Sequence, residues 1–195
     1  VDFQVTTANN RLLAPTDTGG GSDKMRYDAV GNLIWDEYSN PSNPARDFGY
    51  DAENHIGIVK NASGTELARY IYDPEGKRVR RIVSGTETWQ VYGLDGELIA
   101  EYAFNGSTGS PQKEYGYRGG QMLVVYDSTE TGDRQWQWMV ADHLGSPRMV
   151  VDRSGNLSGI RRHDYLPFGE ELASSIGHRN ASGAGYTADQ VRQKF

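Results

Sequence analysis

The stretch YDAVGNL, residues 27–33, has the composition of a tight turn between two β-strands. Gly31 lies four residues after Tyr27, where a tight hairpin turn demands a positive backbone φ that glycine adopts at little steric cost. Asp28 can accept hydrogen bonds from backbone amides two or three residues further along the chain. The stretch therefore predicts a β-hairpin whose turn is organised by Asp28 and Gly31.

The same pattern returns along the chain at a nearly constant interval. YDAENHI begins at Tyr50, YDPEGKRV at Tyr72 and YGLDGEL at Tyr92. The steps from Tyr27 to Tyr50, Tyr72, Tyr92 and then Tyr115 are 23, 22, 20 and 23 residues. A strand has about five or six residues, so a period of this size holds two strands and two turns. One repeat is predicted to be one hairpin.

The residues at the turn positions are expected to be structural. Asn54 takes the glycine position of the second unit, and asparagine is the next most tolerant residue there. Each tyrosine presents a flat apolar body to the next hairpin and a hydroxyl that can find a partner at its edge. The predicted structural residues of the repeat are Tyr27, Asp28, Gly31, Tyr50, Asp51, Asn54, Tyr72, Asp73, Gly76, Tyr92 and Gly96. Asp142, His143, Gly145, Tyr165 and Gly169 are predicted to have the same structural role further along the chain, with turn hydrogen bonds at Asp142 and His143.

Composition agrees with an all-β chain. Twenty-four glycines and 12 tyrosines in 195 residues make a turn-rich, aromatic-rich mixture. The net charge of -6 argues against nucleic acid as the main partner, because binding there depends on neutralising phosphates. The absence of cysteine excludes disulfides and thiolate metal sites. No apolar run approaches the roughly 20 residues of a membrane-spanning helix.

The segment RQWQWMV, residues 134–140, alternates with the period of a strand. It puts Trp136, Trp138 and Val140 on one face, opposite two glutamines and a methionine. We expect tyrosine and tryptophan ladders inside the protein and polar groups outside. The alternative is that Trp136 and Trp138 are exposed and bind glycans, because aromatic faces stack on sugars.

Two stretches resemble a known family. The units YDAVGNL, YDAENHI and YDPEGKRV resemble the YD repeats of the Rhs family, which includes bacterial toxin shells, wall-associated proteins and teneurins. Residues 140–172, VADHLGSPRMVVDRSGNLSGIRRHDYLPFGEEL, are similar to the Rhs-repeat-associated core. The matching residues there are Asp142, His143, Leu144, Gly145, Ser146, Val151, Asp152, Gly155, Tyr165, Pro167, Phe168 and Gly169.

The resemblance implies a scaffold or container. In that family the hairpins pair edge to edge into a strip that spirals into a hollow shell, often around a C-terminal toxin domain. Its partners would be other YD repeats of a longer chain, an enclosed toxin or surface glycans, outside the cell. About five hairpins are too few to enclose a folded domain, and the DPxGL signature of the family's self-cleavage site does not occur in this sequence.

The predicted organisation has four parts. Residues 1–26 hold an N-terminal strand and a Gly-rich linker, best placed at TDTGGGSD (Thr16–Asp23), and residues 27–139 hold the hairpin array. Residues 140–172 are the Rhs-associated core, and residues 173–195 are an irregular tail in which TADQVRQKF could start a short helix. The chain begins at Val1 without a signal-like segment, so we expect a processed form or a piece of a longer protein.

Three function hypotheses follow. The first is a structural scaffold, either part of a shell or a fibre in which unpaired strand edges join copies of the chain. The second is a glycan-binding adhesin. The third is a hydrolase or self-processing module using Asp142, His143 and Asp164, because histidine beside carboxylate suits acid–base chemistry. No nucleophile or metal-ligand motif accompanies them, so the sequence predicts no enzyme, no catalytic residue, no metal and no cofactor.

Overall fold

A computed structural model of the chain describes residues 3–38, 45–104, 109–167, 171–172, 177, 179 and 185–186. The regular structure in these residues consists of β-strands and two short 3-10 turns. Thirteen strands form one antiparallel sheet in which neighbours in the sheet are neighbours in sequence, and the first two strands form a separate pair. The predicted all-β class and the succession of antiparallel hairpins are therefore confirmed.

The strands are short, and most have six or seven residues. They are β1 (Gln4–Val5), β2 (Leu12–Leu13), β3 (Met25–Tyr27), β4 (Leu33–Asp36), β5 (Arg46–Tyr50), β6 (Ile56–Asn61), β7 (Glu66–Tyr72), β8 (Arg78–Val83), β9 (Thr86–Tyr92), β10 (Leu98–Phe104), β11 (Gly109–Arg118), β12 (Gln121–Asp127), β13 (Trp136–Ala141), β14 (Pro147–Asp152) and β15 (Ile160–Arg162).

The chain forms two compact units, which we call the N-terminal unit (residues 1–89) and the C-terminal unit (residues 90–195). The sequence-predicted boundaries after residues 26, 139 and 172 describe a different division and stay predictions. The one after residue 139 falls within β13, whose cross-strand pairing continues from Gln137 to Ala141.

A β-bulge precedes the tyrosine in several hairpins. The register shifts between Arg26 and Tyr27, between Gly49 and Tyr50, and between Ile71 and Tyr72. A bulge adds one unpaired residue and redirects the side chain that follows it. The bulge therefore turns each tyrosine out of the plain alternation of its strand, just before the turn begins.

The core of the C-terminal unit combines apolar and charged side chains on one face of the sheet. Its apolar cluster consists of Leu98, Tyr115, Val125, Met139 and Val150, all less than 9% exposed. Cross-strand pairs continue this face, because Val125 lies opposite Gln137 and Gln137 lies opposite Asp152. The buried polar residues of the C-terminal unit are Gln90, Glu101, Lys113, Asp127, Gln137, Ser146, Asp152, Arg161 and His163.

The expectation that tryptophans line the inside is wrong. Trp136 is 40% exposed and Trp138 is 38% exposed, whereas Gln137 and Met139 between and after them are buried. Because successive side chains of a strand point to opposite faces, burying Met139 with the core places both tryptophans on the other face. Inside, the Nε2 of Gln137 donates to the backbone oxygen of Arg134 at 3.0 Å, and its Oε1 has no hydrogen-bond partner among the described residues.

Candidate functional site

The repeated tyrosines make the same contact in both units. In each case the hydroxyl donates a hydrogen bond to the carbonyl oxygen of the residue that directly follows the turn of the preceding hairpin. We call these contacts the tyrosine ties. They are Tyr27 to Leu12 (2.7 Å), Tyr50 to Leu33 (2.8 Å), Tyr72 to Ile56 (3.1 Å), Tyr117 to Leu98 (3.0 Å) and Tyr165 to Pro147 (2.9 Å).

Four of the five ties are partly buried, and the tie of Tyr27 is exposed. Desolvation by burial is the main reason why the pKa values of Tyr27, Tyr50 and Tyr72 are raised. A tyrosine hydroxyl is protonated at neutral pH even without a shift, and the raised pKa extends the pH range over which these hydroxyls donate. Each tie thus joins one hairpin to its neighbour through a polar contact, in addition to the backbone ladder between strands.

The aspartates that follow the tyrosines organise the turns. Asp28 Oδ1 accepts hydrogen bonds from the backbone amides of Val30, Gly31 and Asn32. Desolvation raises the pKa of Asp28, but these amide hydrogen bonds, that of Asn32 first, outweigh it and lower the pKa. The same arrangement of side-chain oxygen and amides recurs at Asp51, Asp73 and Asp142.

Each of these turns has one residue with left-handed backbone geometry. Gly31 has a φ of 105° and Gly145 a φ of 88°, and Asn54 takes the same place with a φ of 65°. Gly76 (78°) and Gly96 (87°) complete the series. A side chain other than asparagine or aspartate is strained in this region, which explains the residue types of the pattern.

The turn after Tyr92 has a glycine where the other turns have aspartate. Gly93 keeps the backbone hydrogen bonds of the turn, because its amide donates to Glu97 O at 2.8 Å and Gly96 N–H donates to Gly93 O at 3.0 Å. The carboxylate of Glu97 occupies the space where a Cβ at Gly93 would lie. Glu97 therefore fills the position of the missing aspartate side chain, and Tyr92 packs against the core cluster.

The fifth repeat position is Tyr117, and the prediction of Tyr115 is wrong. Tyr115 is 7% exposed, and its hydroxyl donates to Glu101 Oε2 at 3.2 Å within the core. Tyr117 forms the tie, two residues later. A register shift between Gly116 and Tyr117 separates the two roles, because it redirects only the second tyrosine.

Sequence reasoning missed a related hairpin at the N-terminus. Strands β1 and β2 enclose a turn in which Thr6 N–H donates to Arg11 O at 3.0 Å, and Asn10 has a φ of 55°. Leu12, directly after this turn, accepts the tie of Tyr27. The Tyr-Asp pattern does not predict this hairpin, because Val5 and Thr6 occupy the positions at which other units have Tyr and Asp. The residue that indicates this turn in the sequence is Asn10, because asparagine tolerates a positive φ.

The segment predicted to be a linker, Thr16–Asp23, contains two buried aspartates. The Asp23 carboxylate accepts amide hydrogen bonds from Thr18, Gly19 and Gly20. The Asp17 carboxylate accepts them from Ala14, Lys24 and Met25. Because Met25 begins β3, Asp17 binds a backbone amide of the first strand of the large sheet.

The residues of the hydrolase hypothesis take part in structural contacts. Asp142 caps its turn, beside His143. Asp164 contacts Arg148 Nη2 at 2.7 Å, Arg179 Nε at 2.8 Å and Tyr186 Oη at 2.8 Å. The hydrogen bond from Arg179 is the main reason why the pKa of Asp164 is lowered. These contacts fix a charged carboxylate in an ion-pair cluster, which does not resemble a general base poised near neutral pH.

One group of described side chains has the composition of a metal site. Ligand atoms of Asp51, Glu53 and His55 lie within 4.8 Å of one another at a solvent-exposed turn. His55 Nδ1 is 3.2 Å from Asp51 Oδ2, and its ring stacks on Tyr72 with centroids 4.6 Å apart. These contacts account for the position of His55 without an ion.

The tryptophans proposed to bind glycans are accessible. Trp138 lies opposite Val124 on one side and Val151 on the other, and the ring of Trp136 lies 5.0 Å from that of Tyr126. Aromatic and aliphatic side chains thus adjoin on the exposed face of β12, β13 and β14. Gly169 and the predicted helix at 187–195 lie outside the described residues.

Neither a protein-family model nor a curated protein matches the chain. Solved structures with some similarity include crystal structures of TcdB2-TccC3-TEV (16% identity, TM-score 0.30, 75% of this chain and 11% of that chain) and of TcdB2-TccC3-Cdc42 (15%, 0.30, 76% and 11%). A third is a Photorhabdus luminescens Tc holotoxin pore with a TccC3 mutation (15%, 0.31, 75% and 11%).

The chain thus spans about a tenth of the length of these Tc toxin chains. At TM-scores near 0.3, the similarities support no conclusion about its function. In the part of the chain that the structure describes, no helix has the length and hydropathy needed to cross a membrane.

Proposed function

We propose that the chain is a structural β-repeat scaffold of an extracellular Rhs/YD-repeat protein and forms part of the wall of a shell. The observation that carries this proposal is the recurrence of the tyrosine ties. In both units the hydroxyl reaches the same place, the carbonyl after the preceding turn. A contact repeated from hairpin to hairpin serves packing, whereas a reaction site is needed once. The scaffold role requires neither catalysis nor a cofactor.

The terminal strands bear on the choice between shell and fibre. In the N-terminal unit, Asp17 binds the Met25 amide of β3 at 2.9 Å. In the C-terminal unit, Arg162 N–H of β15 donates to Gly185 O at 2.7 Å. Assembly into a fibre through these edges would have to displace both contacts, because an incoming strand uses the same backbone groups. These contacts weigh against a fibre joined at β3 and β15. In a wall, other YD repeats would adjoin this chain through further tyrosine ties, as the β1–β2 pair does at Leu12 and Tyr27.

Light scattering and electron microscopy of the purified 195-residue chain test this choice. A monomer over a wide concentration range is the expected result and would reject self-assembly. An increase of particle size with concentration, or visible fibres, would favour the fibre. Either result would contradict the interpretation that the edges of β3 and β15 are covered. Replacing Asp142, His143 and Asp164 together should leave any self-processing unchanged. If a processed product is lost in that variant, the result would support the enzyme hypothesis.

A second candidate function is glycan binding, which is favoured by the exposure of Trp136 and Trp138. A glycan array with the intact chain and with both tryptophans changed to alanine would decide it. The matched control is Trp89→Ala in the N-terminal unit, because Trp89 is 43% exposed. Binding that is lost only in the Trp136/Trp138 variant, with an unchanged circular dichroism spectrum, would establish an adhesin. Equal binding by all three proteins, or none by any, would remove this candidate.

A further inference from the structure

A row of three buried charged side chains crosses strands β10, β11 and β12. Glu101 is paired with Lys113 in the register, and Lys113 is paired with Asp127. The exposed fractions of these residues are 2%, 3% and 0%. Directly opposed residues of antiparallel strands have Cβ atoms about 4.5–5.5 Å apart on one face of the sheet. Lys113 therefore lies between two carboxylates.

The contact between Lys113 and Asp127 is short and has unusual geometry. Nζ of Lys113 lies 2.6 Å from Oδ2 of Asp127. Within the described part of the chain, however, Oδ2 accepts no hydrogen bond of regular geometry. The amine is thus close to the carboxyl group but approaches it away from the direction that a hydrogen bond prefers.

The other oxygen of Asp127 is held in place. Oδ1 accepts a hydrogen bond from Thr129 N at 2.9 Å and another from Thr129 Oγ1 at 2.6 Å. These donors fix the carboxyl group and withdraw electron density from it, as donors to a carbonyl under attack do. Holding two reactive groups in contact removes most of the entropy loss of bringing them together.

The second carboxylate of the row is also fixed. Glu101 Oε1 lies 3.3 Å from Gln90 Nε2, and Glu101 Oε2 lies 3.2 Å from the Tyr115 hydroxyl. Gln90 and Tyr115 donate these hydrogen bonds and fix the carboxylate of Glu101, a residue that the register places opposite Lys113. It is therefore placed to accept a proton from the lysine amine and to return it. The apolar neighbours Tyr115 and Val125 belong to the core cluster, so bulk water is kept from the row.

We propose that Lys113 and Asp127 condense to an isopeptide cross-link between β11 and β12. One proton moves from the ammonium group to the carboxylate, which gives a neutral amine and a carboxylic acid. Nζ then attacks Cγ, a C–N bond forms, one C–O bond breaks, and the oxygen leaves with two protons as water. Glu101 carries the proton from Nζ to the leaving oxygen. No oxidation occurs, and no cofactor or metal is required.

The ionic form of the pair is the starting state. Desolvation raises the pKa of Asp127, but the contacts with Lys113 and Thr129 outweigh it and lower the pKa. Burial reduces the free-energy difference between the ionic pair and the neutral pair, because a medium of low polarity stabilises separated charges poorly. The neutral pair is thus a minor but accessible form. The chemistry depends on this pair alone and not on the proposed scaffold function, although a covalent tie would stiffen a scaffold.

The intact mass of the full chain, refolded and incubated at neutral pH, tests the proposal. The expected mass is about 18 Da below that of the sequence, since lysine attack on the carboxyl group releases one water. Trypsin should then leave residues 82–118 joined to residues 119–134, because Lys113 is no longer cleaved. This peptide distinguishes the cross-link from a cyclic imide at Asp95–Gly96, which also loses one water.

Variants separate the chemistry from the fold. Lys113→Arg keeps a cation in the row but cannot condense, so the full sequence mass is expected. Asp127→Asn can condense with loss of ammonia, so a mass about 17 Da below its sequence is expected. Glu101→Gln should form the cross-link at least tenfold more slowly with an unchanged circular dichroism spectrum. A folded wild-type chain that stays at its full sequence mass, or one that loses water while its trypsin digest contains residues 119–134 as a separate peptide, would overturn the proposal.

Discussion

Replacing Tyr50 by phenylalanine isolates the energetic contribution of one tyrosine tie. The change keeps the aromatic ring and removes only the hydroxyl, whose oxygen lies 2.8 Å from Leu33 O. The tie is partly buried, so water can replace it only in part. The net contribution of such a hydrogen bond is about 0.5–1.5 kcal/mol. In a chain of this length, each kcal/mol lowers Tm by about 2–4 °C.

The natural control is Tyr70→Phe in strand β7 of the same unit. Tyr70 contacts Arg78 through the face of its ring, 5.2 Å from the guanidinium carbon, and phenylalanine keeps that face. Its substitution should change the free energy of unfolding by less than about 0.5 kcal/mol. Urea unfolding followed by circular dichroism, with the m-value checked for each protein, compares the two variants.

Combining the substitutions tests whether the ties are independent. Tyr27, Tyr50 and Tyr72 all lie in the N-terminal unit, and their hydroxyls contact three different carbonyl groups. If their contributions add, the triple phenylalanine variant loses about 1.5–4.5 kcal/mol. If Tyr50→Phe and Tyr70→Phe unfold at the same urea concentration, the ties contribute nothing and the reasoning behind the scaffold proposal fails.

Gly31→Ala should destabilise the chain by about 1–2 kcal/mol because of the left-handed backbone there, with a φ of 105°. Gly21→Ala is its control and should be nearly neutral, because an added Cβ meets no atom within 4 Å; equal urea midpoints would contradict the role of the turn. The pKa of Asp51 is lowered, mainly by the amide of His55. Its folded pKa lies below the unfolded one, so Asp51 stabilises the fold above about pH 4, and this stabilisation is lost as the pH falls. Asp51→Asn should therefore weaken the loss of stability between pH 5 and pH 2 in urea titrations while keeping the turn, as Asn61 does with the amides of Ser63 and Thr65. An unchanged acid dependence would show that the carboxylate charge is immaterial.

The turns could be predicted from sequence because their chemistry is local. A side-chain oxygen that binds amides two to four residues ahead, followed by a residue with positive φ, involves only about five consecutive residues. The pattern therefore located the turns at Asp28, Asp51, Asp73 and Asp142 without any knowledge of the rest of the chain. The hairpins between them followed from strand length.

The faces of the strands could not be predicted in the same way. Alternation in RQWQWMV separates tryptophans from glutamines correctly but does not say which set is buried. That depends on Val125 and Val150, which lie across neighbouring strands and place Met139 in the core. A register shift likewise decided between Tyr115 and Tyr117. The burial of Lys113 and Asp127 could not be predicted for the same reason. A charged residue is expected at the surface unless its cross-strand partner is known.

The two ends of each hairpin should differ in how much added sequence they tolerate. At the tyrosine end, an amide donates to a carbonyl four residues later, from Asp28 to Asn32 and again at 51–55, 73–77, 93–97 and 142–146. A longer turn would move the carbonyl that the next tyrosine needs. At the other end the connections already differ, with two residues between β8 and β9 and eight between β12 and β13. Peptide tags or recognition loops can therefore be grafted at residues 84–85, at the end of the hairpin that carries no tyrosine tie, and sequence diversity would accumulate there.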